Sequence, residues 1–261
     1  MRTKDHLNFL FESIFNRTFS ITQRKLTKLD YLRQINRHNS NIEISTLKYL
    51  FDRYQFDLVV DVGANKGQFY NFIRRKINYK GLILGIEPSK NDFHILENLS
   101  QLDSNFKVLN MACGSEVGSA RLNISKDTTM SSFYEIEDYS MRRFPNISYI
   151  ESEEVKVETL AHILSNQSYL NSSSKIYLKV DTQGHDLQVV KGLGNWSKNI
   201  IGMQSEMSLI PIYKNIPFYY DVLKYYQSQN FNLLSSIPVT RDKKDSTIIE
   251  FNGFFVKRDA N

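Results

Sequence analysis

Two short segments, each an apolar run that ends in an acidic residue, constrain the fold of this chain more than any other feature. The first reads Leu58-Val-Val-Asp-Val-Gly-Ala-Asn-Lys-Gly67, and the second reads Gly81-Leu-Ile-Leu-Gly-Ile-Glu87. Each apolar run is typical of a buried parallel strand. Gly63 and Gly67 lack a Cβ, so we expect them to let the backbone approach a ligand closely. Because ligands of open α/β sheets bind at the carboxyl ends of such strands, the pair predicts a nucleotide-type site.

The spacing of the glycines indicates which ligand the first turn accepts. Dinucleotide-binding turns follow G-x-G-x-x-G, with a helix N-terminus directed at a pyrophosphate. This chain has D-x-G-x-x-x-G, with Asn65 inside the turn. S-adenosylmethionine has no phosphate, and its ammonium favours a carboxylate such as Asp61. The pattern therefore favours that cofactor, with Glu87 accepting a ribose hydroxyl; the alternative is that the glycines only form a strand-to-helix turn.

Length and composition are typical of one globular α/β domain. The chain has 261 residues, of which 41% are hydrophobic and 23% charged. A single cysteine, Cys113, excludes a disulfide scaffold and favours a reducing, cytoplasmic location. No apolar run approaches membrane-spanning length, and no signal-peptide pattern opens the chain. The net charge of +5 is dispersed among acids, so it does not favour nucleic acid as a partner.

Residues 1–50 lack strand patterning and are predicted to be helical. Between His6 and Phe15, apolar residues recur at helical spacing and form one face. We interpret 1–50 as a helical cap that packs on a Rossmann-like domain, 51–261, or on a partner subunit, which would make a homo-oligomer. A basic helix at a membrane surface is the alternative.

From residue 55 onward, predicted strands alternate with predicted helices. Strands are expected at about 57–62, 81–87, 106–112, 120–124, 155–157, 175–181 and 200–206. Helices are expected over 67–76, 90–101, 184–193 and 217–229. Segments 231–236 and 247–256 are expected to pair as a closing hairpin. The pattern predicts an α/β fold with a mostly parallel, doubly wound sheet and a C-terminal antiparallel hairpin.

A second group of polar residues follows the strand at 175–181. Asp181 ends that strand, and His185 and Asp186 open the next helix, while Glu206 ends the strand after it. Asp181, His185 and Glu206 are expected to converge beside the reacting group, because a carboxylate that ends a buried strand is costly unless it is used. Asp186 is interpreted as a helix first-turn acid, and His185 is open to either a site or a capping role.

Several segments together resemble one known family. They are Asp61-Val-Gly-Ala-Asn-Lys-Gly67, Glu87-Pro88, Ser131-Ser132 and the block from Leu178 to Gly192. The resemblance is to the FkbM family of S-adenosylmethionine-dependent methyltransferases, and it covers about residues 56–257. It implies a Rossmann-like class I fold and transfer to oxygen, usually a hydroxyl of a sugar or secondary metabolite, as in polysaccharide modification. Gln183 and Asp186 stand where Glu is common in the family, and Gln183 weakens the argument for a metal.

The expected cofactor contacts lie at the strand ends and in the central loop. They are Asp61, Gly63, Asn65, Gly67, Glu87, Pro88, Ser89, Ala112, Ser131, Ser132 and Asp181.

Methyl transfer to an alcohol is an in-line displacement that requires alignment and a base. We expect His185 or Asp181 to be that base, with Glu206 shaping the acceptor pocket. A divalent ion held by Asp181 and Glu206 is an alternative, but two carboxylates are too few to predict a metal site.

The segment Ser125–Glu154 has no strong strand pattern and is rich in hydroxyl and aromatic side chains. Such residues suit a small-molecule or glycan acceptor, which offers hydroxyls to bind and C–H faces to stack. We expect a lid that is ordered by ligand, with Ser131 and Ser132 near the cofactor and Arg142 or Arg143 facing the acceptor.

Two alternatives to a methyltransferase are open at this point. An NAD-dependent oxidoreductase is disfavoured by the missing central glycine of its turn. A non-catalytic binding or assembly module with the same fold is not excluded by any residue in the sequence.

Overall fold

The computed structural model describes residues 27–144 and 147–258, so the predicted helix at His6–Phe15 lies outside the described residues. The chain divides into two compact units after Asn41. All packing described below concerns the second unit. No helix in the described part of the chain has the length and apolar composition needed to cross a membrane.

The helices and strands follow one another in an alternating order that agrees with the predicted pattern. The helices are α1 (Lys28–Tyr54), α2 (Gln68–Phe72, continued by a π-helix at Ile73–Ile77), α3 (Lys90–Leu102), α4 (Asp138–Arg143), α5 (Leu160–Ser165), α6 (Asp186–Lys191) and α7 (Tyr219–Ser228). The strands are β1 (Leu58–Val62), β2 (Leu82–Ile86), β3 (Phe106–Leu109), β4 (Ala112–Cys113), β5 (Gly118–Ser125), β6 (Tyr149–Glu158), β7 (Ile176–Val180), β8 (Ile200–Ser208), β9 (Phe231–Arg241) and β10 (Ile248–Lys257).

The main sheet has the strand order β3-β2-β1-β7-β8-β10-β9. Strand β1 pairs in parallel with both β2 and β7, and the order of strands reverses direction between β1 and β7. Such a switch point leaves a crevice at the carboxyl ends of the strands. Strand β10 is antiparallel to both β8 and β9, so the predicted hairpin closes the sheet with its antiparallel strand one position inside the edge.

Each face of the sheet is covered by helices, because successive side chains of a strand point to opposite faces. Leu58 and Val60 of β1 belong to a core that includes residues of α5, α6 and α7. Val59 of β1 and Tyr177 of β7 belong to the opposite core, with residues of α1, α2 and α3. Strands buried on both faces explain why β1 and β7 read as continuous apolar runs.

The third predicted strand is divided in two. Strand β3 ends at Leu109, and the short strand β4 joins a separate sheet of order β4-β6-β5. Between them, the side-chain amide of Asn110 donates to the carbonyls of Glu87 and Pro88. This contact fixes the chain that follows β2 to the chain that follows β3, directly beside the switch point.

The segment Ser125–Glu154 is more ordered than its sequence predicts. It contains a 3₁₀ turn at Thr128–Met130, helix α4 and the first half of β6. Strand β6 was not predicted over this length because its first residues are mostly exposed and lack apolar alternation. Its ladder with β5 holds it instead.

Candidate active site

A cavity of about 380 Å³ lies at the carboxyl ends of β1, β2 and β7. Most of the residues predicted to contact a cofactor line its wall. These are Gly63, Asn65, Glu87, Pro88, Ala112, Ser131 and Asp181.

The other predicted cofactor residues lie behind the wall. Asp61, Ser89 and Ser132 are buried and do not line the cavity, and neither does Gly67. The Ser89 N–H donates to Glu87, and the Ser132 hydroxyl donates to the Gln183 carbonyl. These residues therefore support cavity-lining residues instead of facing the cavity.

Asp61 corrects one sequence-based expectation. It is 0% exposed, and its Oδ1 lies 3.0 Å from Nζ of Lys179 on the neighbouring strand. The same ammonium donates to the Gly63 carbonyl at 3.2 Å and lies 3.5 Å from Oδ2 of Asp181. Lys179 therefore neutralises the carboxylate that was expected to meet a ligand, because a buried charge requires a counter-ion.

Gly63 is required for a different reason from the one its sequence context suggests. Its φ is +77°, a left-handed conformation that side chains other than glycine disfavour. A Cβ at this position would lie 2.0 Å from the backbone oxygen of Asp181. The glycine therefore makes room for the protein backbone of the neighbouring strand end, and not primarily for a ligand.

Glu87 presents a buried carboxylate to the cavity. Its Oε2 accepts the Asn65 N–H at 2.8 Å, and its Oε1 accepts the Ser89 N–H at 2.9 Å. Burial outweighs these bonds and raises the pKa of Glu87 to about 7. A carboxylate has further lone pairs that can accept hydrogen bonds from a ligand.

Asn65 ties the turn after β1 to the 3₁₀ turn of the inserted segment. Its side-chain amide donates to Asp92 and to the hydroxyl of Thr128, both at 3.1 Å. Its φ of 45° is tolerated by asparagine better than by most residues. Thr128 also lines the cavity, so this contact closes the wall between β1 and the insertion.

Gln183 joins two of the residues predicted to be catalytic. Its Nε2 donates to Oδ1 of Asp181 and to Oε2 of Glu206, each at 3.0 Å. Its Oε1 accepts the hydroxyl of Tyr213 at 2.8 Å. The Glu206 carboxyl does not line the cavity, and burial together with the nearby Glu250 raises its pKa well above the usual value.

His185 does not join Asp181 and Glu206. Its Nδ1 lies 3.0 Å from the hydroxyl of Tyr134, and its ring meets the edge of Phe133 instead of lining the cavity. Burial lowers the pKa of His185 to about 4, so the ring is neutral at neutral pH. The expected convergence of all three side chains is therefore wrong for His185.

Asp186 has the structural role that the sequence suggested, with more partners than a helix position alone provides. Its Oδ2 accepts the N–H and the hydroxyl of Thr182, and its Oδ1 accepts the Ser205 hydroxyl. These bonds connect the chain after β7 to β8. They hold the Asp181–Gln183 segment in place beside the cavity.

The inserted segment packs through its own small core. Its apolar side chains contact the chain after β8, and the cluster contains Ile136, Ile147, Ile212, Tyr213, Ile216 and Ile249. Arg143 forms an ion pair with Asp242 of the β9–β10 turn, and Arg142 is exposed. Neither arginine lines the cavity, so the expectation that one of them faces an acceptor is wrong.

Three polar residues of the cavity wall were not selected from the sequence. They are Glu43 on α1, Lys179 on β7 and Gln204 on β8. Lys179 gave a usable signal, because a lysine inside an apolar strand is seldom buried without a partner. Glu43 and Gln204 gave none, since one polar residue in a helix or a strand indicates no site. No group of three His, Cys, Asp or Glu side chains within 27–144 and 147–258 could hold a metal ion.

Residues 61–233 match the family model described as the methyltransferase FkbM domain. This span is more than half of the 261 residues. The chain belongs to the FkbM methyltransferase family. The match confirms the resemblance and extends from Asp61 to β9, so it includes the cavity-lining ends of β1, β2, β7 and β8. The FkbM chain has the predicted α/β, Rossmann-like class I methyltransferase fold.

Solved structures with a similar fold include three methyltransferase-type proteins. An FkbM methyltransferase from Methylobacillus flagellatus KT is 14% identical, with a TM-score of 0.47 over 76% of this chain and 43% of that chain. Fibrillarin from Aeropyrum pernix, with natively bound S-adenosyl-L-methionine, is 12% identical, with a TM-score of 0.43 over 83% and 74%. Magnesium protoporphyrin IX methyltransferase from Synechocystis, with the same cofactor bound, is 9% identical, with a TM-score of 0.44 over 95% and 96%. The FkbM chain thus spans less than half of the Methylobacillus protein, and no curated protein sequence matches it.

Proposed function

We propose that this FkbM protein transfers a methyl group from S-adenosylmethionine to a hydroxyl of a sugar, a glycan or a secondary metabolite. The observation that carries the proposal is the cavity at the switch point between β1 and β7, with the Glu87 carboxylate in its wall. Ligands of doubly wound sheets bind at this place, and an acid after the second strand accepts ribose hydroxyls.

The lining of the cavity fits this cofactor. Glu87 offers acceptor capacity to a ribose, and the neighbouring wall at Ile86, Met111 and Leu122 is apolar, as an adenine ring requires. The turn at Gly63–Asn65 supplies the short, curved backbone between these groups and Asp181. Together these residues offer polar groups at the sugar and apolar surface at the base.

Asp181 is the residue we propose to act on the acceptor hydroxyl. When bound, S-adenosylmethionine supplies an electrophilic methyl group, so the protein must align the hydroxyl and accept its proton. The Asp181 side chain is 39% exposed, lines the cavity and is oriented by Gln183 and Lys179 on its two oxygens. His185 is a weaker candidate, because it is turned to Tyr134 outside the cavity.

The acceptor class follows from the part of the wall that the inserted segment supplies. Thr128, Thr129, Ser131 and Phe133 line the cavity. Hydroxyl groups next to an aromatic ring suit a carbohydrate, whose hydroxyls bind polar groups and whose C–H faces pack on rings. We therefore place sugars and glycans first among the hydroxyl acceptors.

Transfer of a labelled methyl group tests the proposal. The full chain is incubated with methyl-labelled S-adenosylmethionine and separate polysaccharide and small-metabolite fractions. We expect label in a hydroxyl-bearing product, released as methanol-derived ether fragments and not as a volatile ester. Binding of S-adenosylhomocysteine without transfer into any fraction would favour a non-catalytic module, and label on nitrogen or carbon would contradict the O-methyl assignment.

A further inference from the structure

Helix α1 contributes a carboxylate to the cavity wall at Glu43. Leu47 lies one helical turn further along and is fully buried in the core beneath the sheet face. Residues four apart share a helix face, so Glu43 is directed toward the sheet as well. Its side chain is partly buried, and burial raises the pKa of its carboxyl.

Glu43 has unused capacity to accept hydrogen bonds. Neither of its carboxylate oxygens has a hydrogen-bond or ionic partner among the residues that the structure describes. The other carboxylates of the cavity are engaged: Glu87 by two backbone N–H groups, and Asp181 by Lys179 and Gln183. A shielded carboxylate without a partner is costly, which points to a ligand that supplies one.

An amide donor lies at the same end of the cavity. The Oε1 of Gln204 accepts the hydroxyl of Tyr177 at 3.4 Å, and its Nε2 has no partner in the described chain. Tyr177 also lies close enough to Glu43 for the two to interact electrostatically. Gln204 and Glu43 therefore offer a donor and an anionic acceptor around one tyrosine.

The amino-acid end of the methyl donor has the matching chemistry. It carries an ammonium and a carboxylate, and Asp61, the carboxylate that the sequence suggested for the ammonium, is sealed behind Lys179. We propose that Glu43 binds this ammonium and that the Gln204 amide donates to the carboxylate. The inference rests on the proposed function, since it assigns a role toward the same cofactor.

Two ligands that differ only in the amino-acid end test the assignment. S-adenosylhomocysteine carries that end, and 5′-methylthioadenosine lacks it. Glu43→Gln in the full chain removes the charge and keeps the shape of the side chain. The affinity for S-adenosylhomocysteine is expected to fall by about tenfold or more, because a hydrogen bond between charged groups contributes at least that much. The affinity for 5′-methylthioadenosine is expected to stay unchanged.

A matched control comes from the same helix. Asp52 is exposed on α1, so Asp52→Asn removes one negative charge from the helix without altering the cavity. We expect this variant to bind both ligands as the parent does. Gln204→Leu should weaken S-adenosylhomocysteine selectively, as Glu43→Gln does.

The outcomes separate the two proposals. Equal losses for both ligands in Glu43→Gln, or no loss for either, would overturn the role of Glu43 while leaving the cofactor site in place. A variant that binds both ligands normally but loses methyl transfer would assign Glu43 to the acceptor and overturn the inference. A parent protein that binds neither ligand would contradict the proposed function itself.

Discussion

The Nζ of Lys179 lies 3.0 Å from Oδ1 of Asp61, and the two residues are register partners on the parallel strands β7 and β1. Asp61 is 0% exposed and Lys179 is 7% exposed. The lysine also contacts Asp181 and the Gly63 carbonyl, so one ammonium connects the ends of both strands at the switch point. This ion pair is the centre from which the cavity wall is built.

Removing the lysine should destabilise the fold more than removing its partner. Lys179→Met is expected to cost about 3–5 kcal/mol, because it leaves the Asp61 carboxylate buried without a cation. Asp61→Asn should cost less, because Lys179 keeps Asp181 and the Gly63 carbonyl. Urea unfolding of both single variants and of the double variant measures the free energies of unfolding and their coupling. A larger loss for Asp61→Asn would contradict the role of Lys179 as counter-ion.

Glu87 predicts a pH dependence of cofactor-product binding. Burial raises its pKa to about 7, and a ribose hydroxyl donates best to the ionised carboxylate. Ligand therefore binds the deprotonated form, and the affinity for S-adenosylhomocysteine should rise as the pH increases through this value and then level off. The same raised pKa means that Glu87 stabilises the unliganded fold below its unfolded pKa and that this contribution is lost as the pH rises through about 7.

Calorimetry over this pH range checks the prediction, with Glu87→Gln as the reference. The variant should lose the Glu87 contribution to the pH dependence and should bind more weakly at high pH by about 1.5–3 kcal/mol, the range for a hydrogen bond to a charged group. Asp186 and Glu250 also have pKa values raised by burial, to about 6 and about 7, so only the difference between parent and variant reports on Glu87. Identical profiles would place the ribose elsewhere.

Gly63 should be a stability position as well as a site position. Gly63→Ala is expected to destabilise the fold by more than the roughly 1–3 kcal/mol of a left-handed conformation alone, because the new methyl group meets the Asp181 carbonyl. Gly118→Ala is the control, since a Cβ there has no atom within 4 Å. Thermal unfolding compares the two. A Gly63→Ala protein as stable as the parent would show that the turn adapts without strain.

The acceptor-side residues should separate in kinetics. Asp181→Asn is expected to retain S-adenosylhomocysteine affinity within a few fold and to lose turnover by about 10²–10⁴, the range for a positioned base. His185→Ala should keep most of its turnover, because His185 bonds Tyr134 outside the cavity and is neutral. Steady-state rates with the identified acceptor, alongside melting temperatures, measure both. Comparable losses in two equally stable variants would restore His185 as a candidate base.

The local pattern predicted the strands that build the site, because β1, β2 and β7 are buried on most or all of their length and their apolar runs have no other interpretation. It also placed Glu87 and Asp181 at the rim. The orientation of His185 depended on Tyr134, which is far away in sequence, and no local signal carried it. The same holds for Glu43, whose position in the wall comes from the packing of α1.

The polar first half of β6 shows a second limit of pattern-based prediction. Its exposed acidic residues lack the alternation that marks a half-buried strand, and the ladder with β5 determines the structure instead. Backbone pairing of this kind is a tertiary effect, which a sequence window does not contain.

A crystal structure of the full chain with S-adenosylhomocysteine tests the central claim most directly. The account predicts that the ligand occupies the cavity between β1, β2 and β7, with its ribose hydroxyls within hydrogen-bond distance of the Glu87 carboxylate. It also predicts that the amino-acid end extends toward Glu43 and leaves Asp61 paired with Lys179. A ligand bound outside this cavity, or inside it with the ribose away from Glu87, would contradict the assignment of the site.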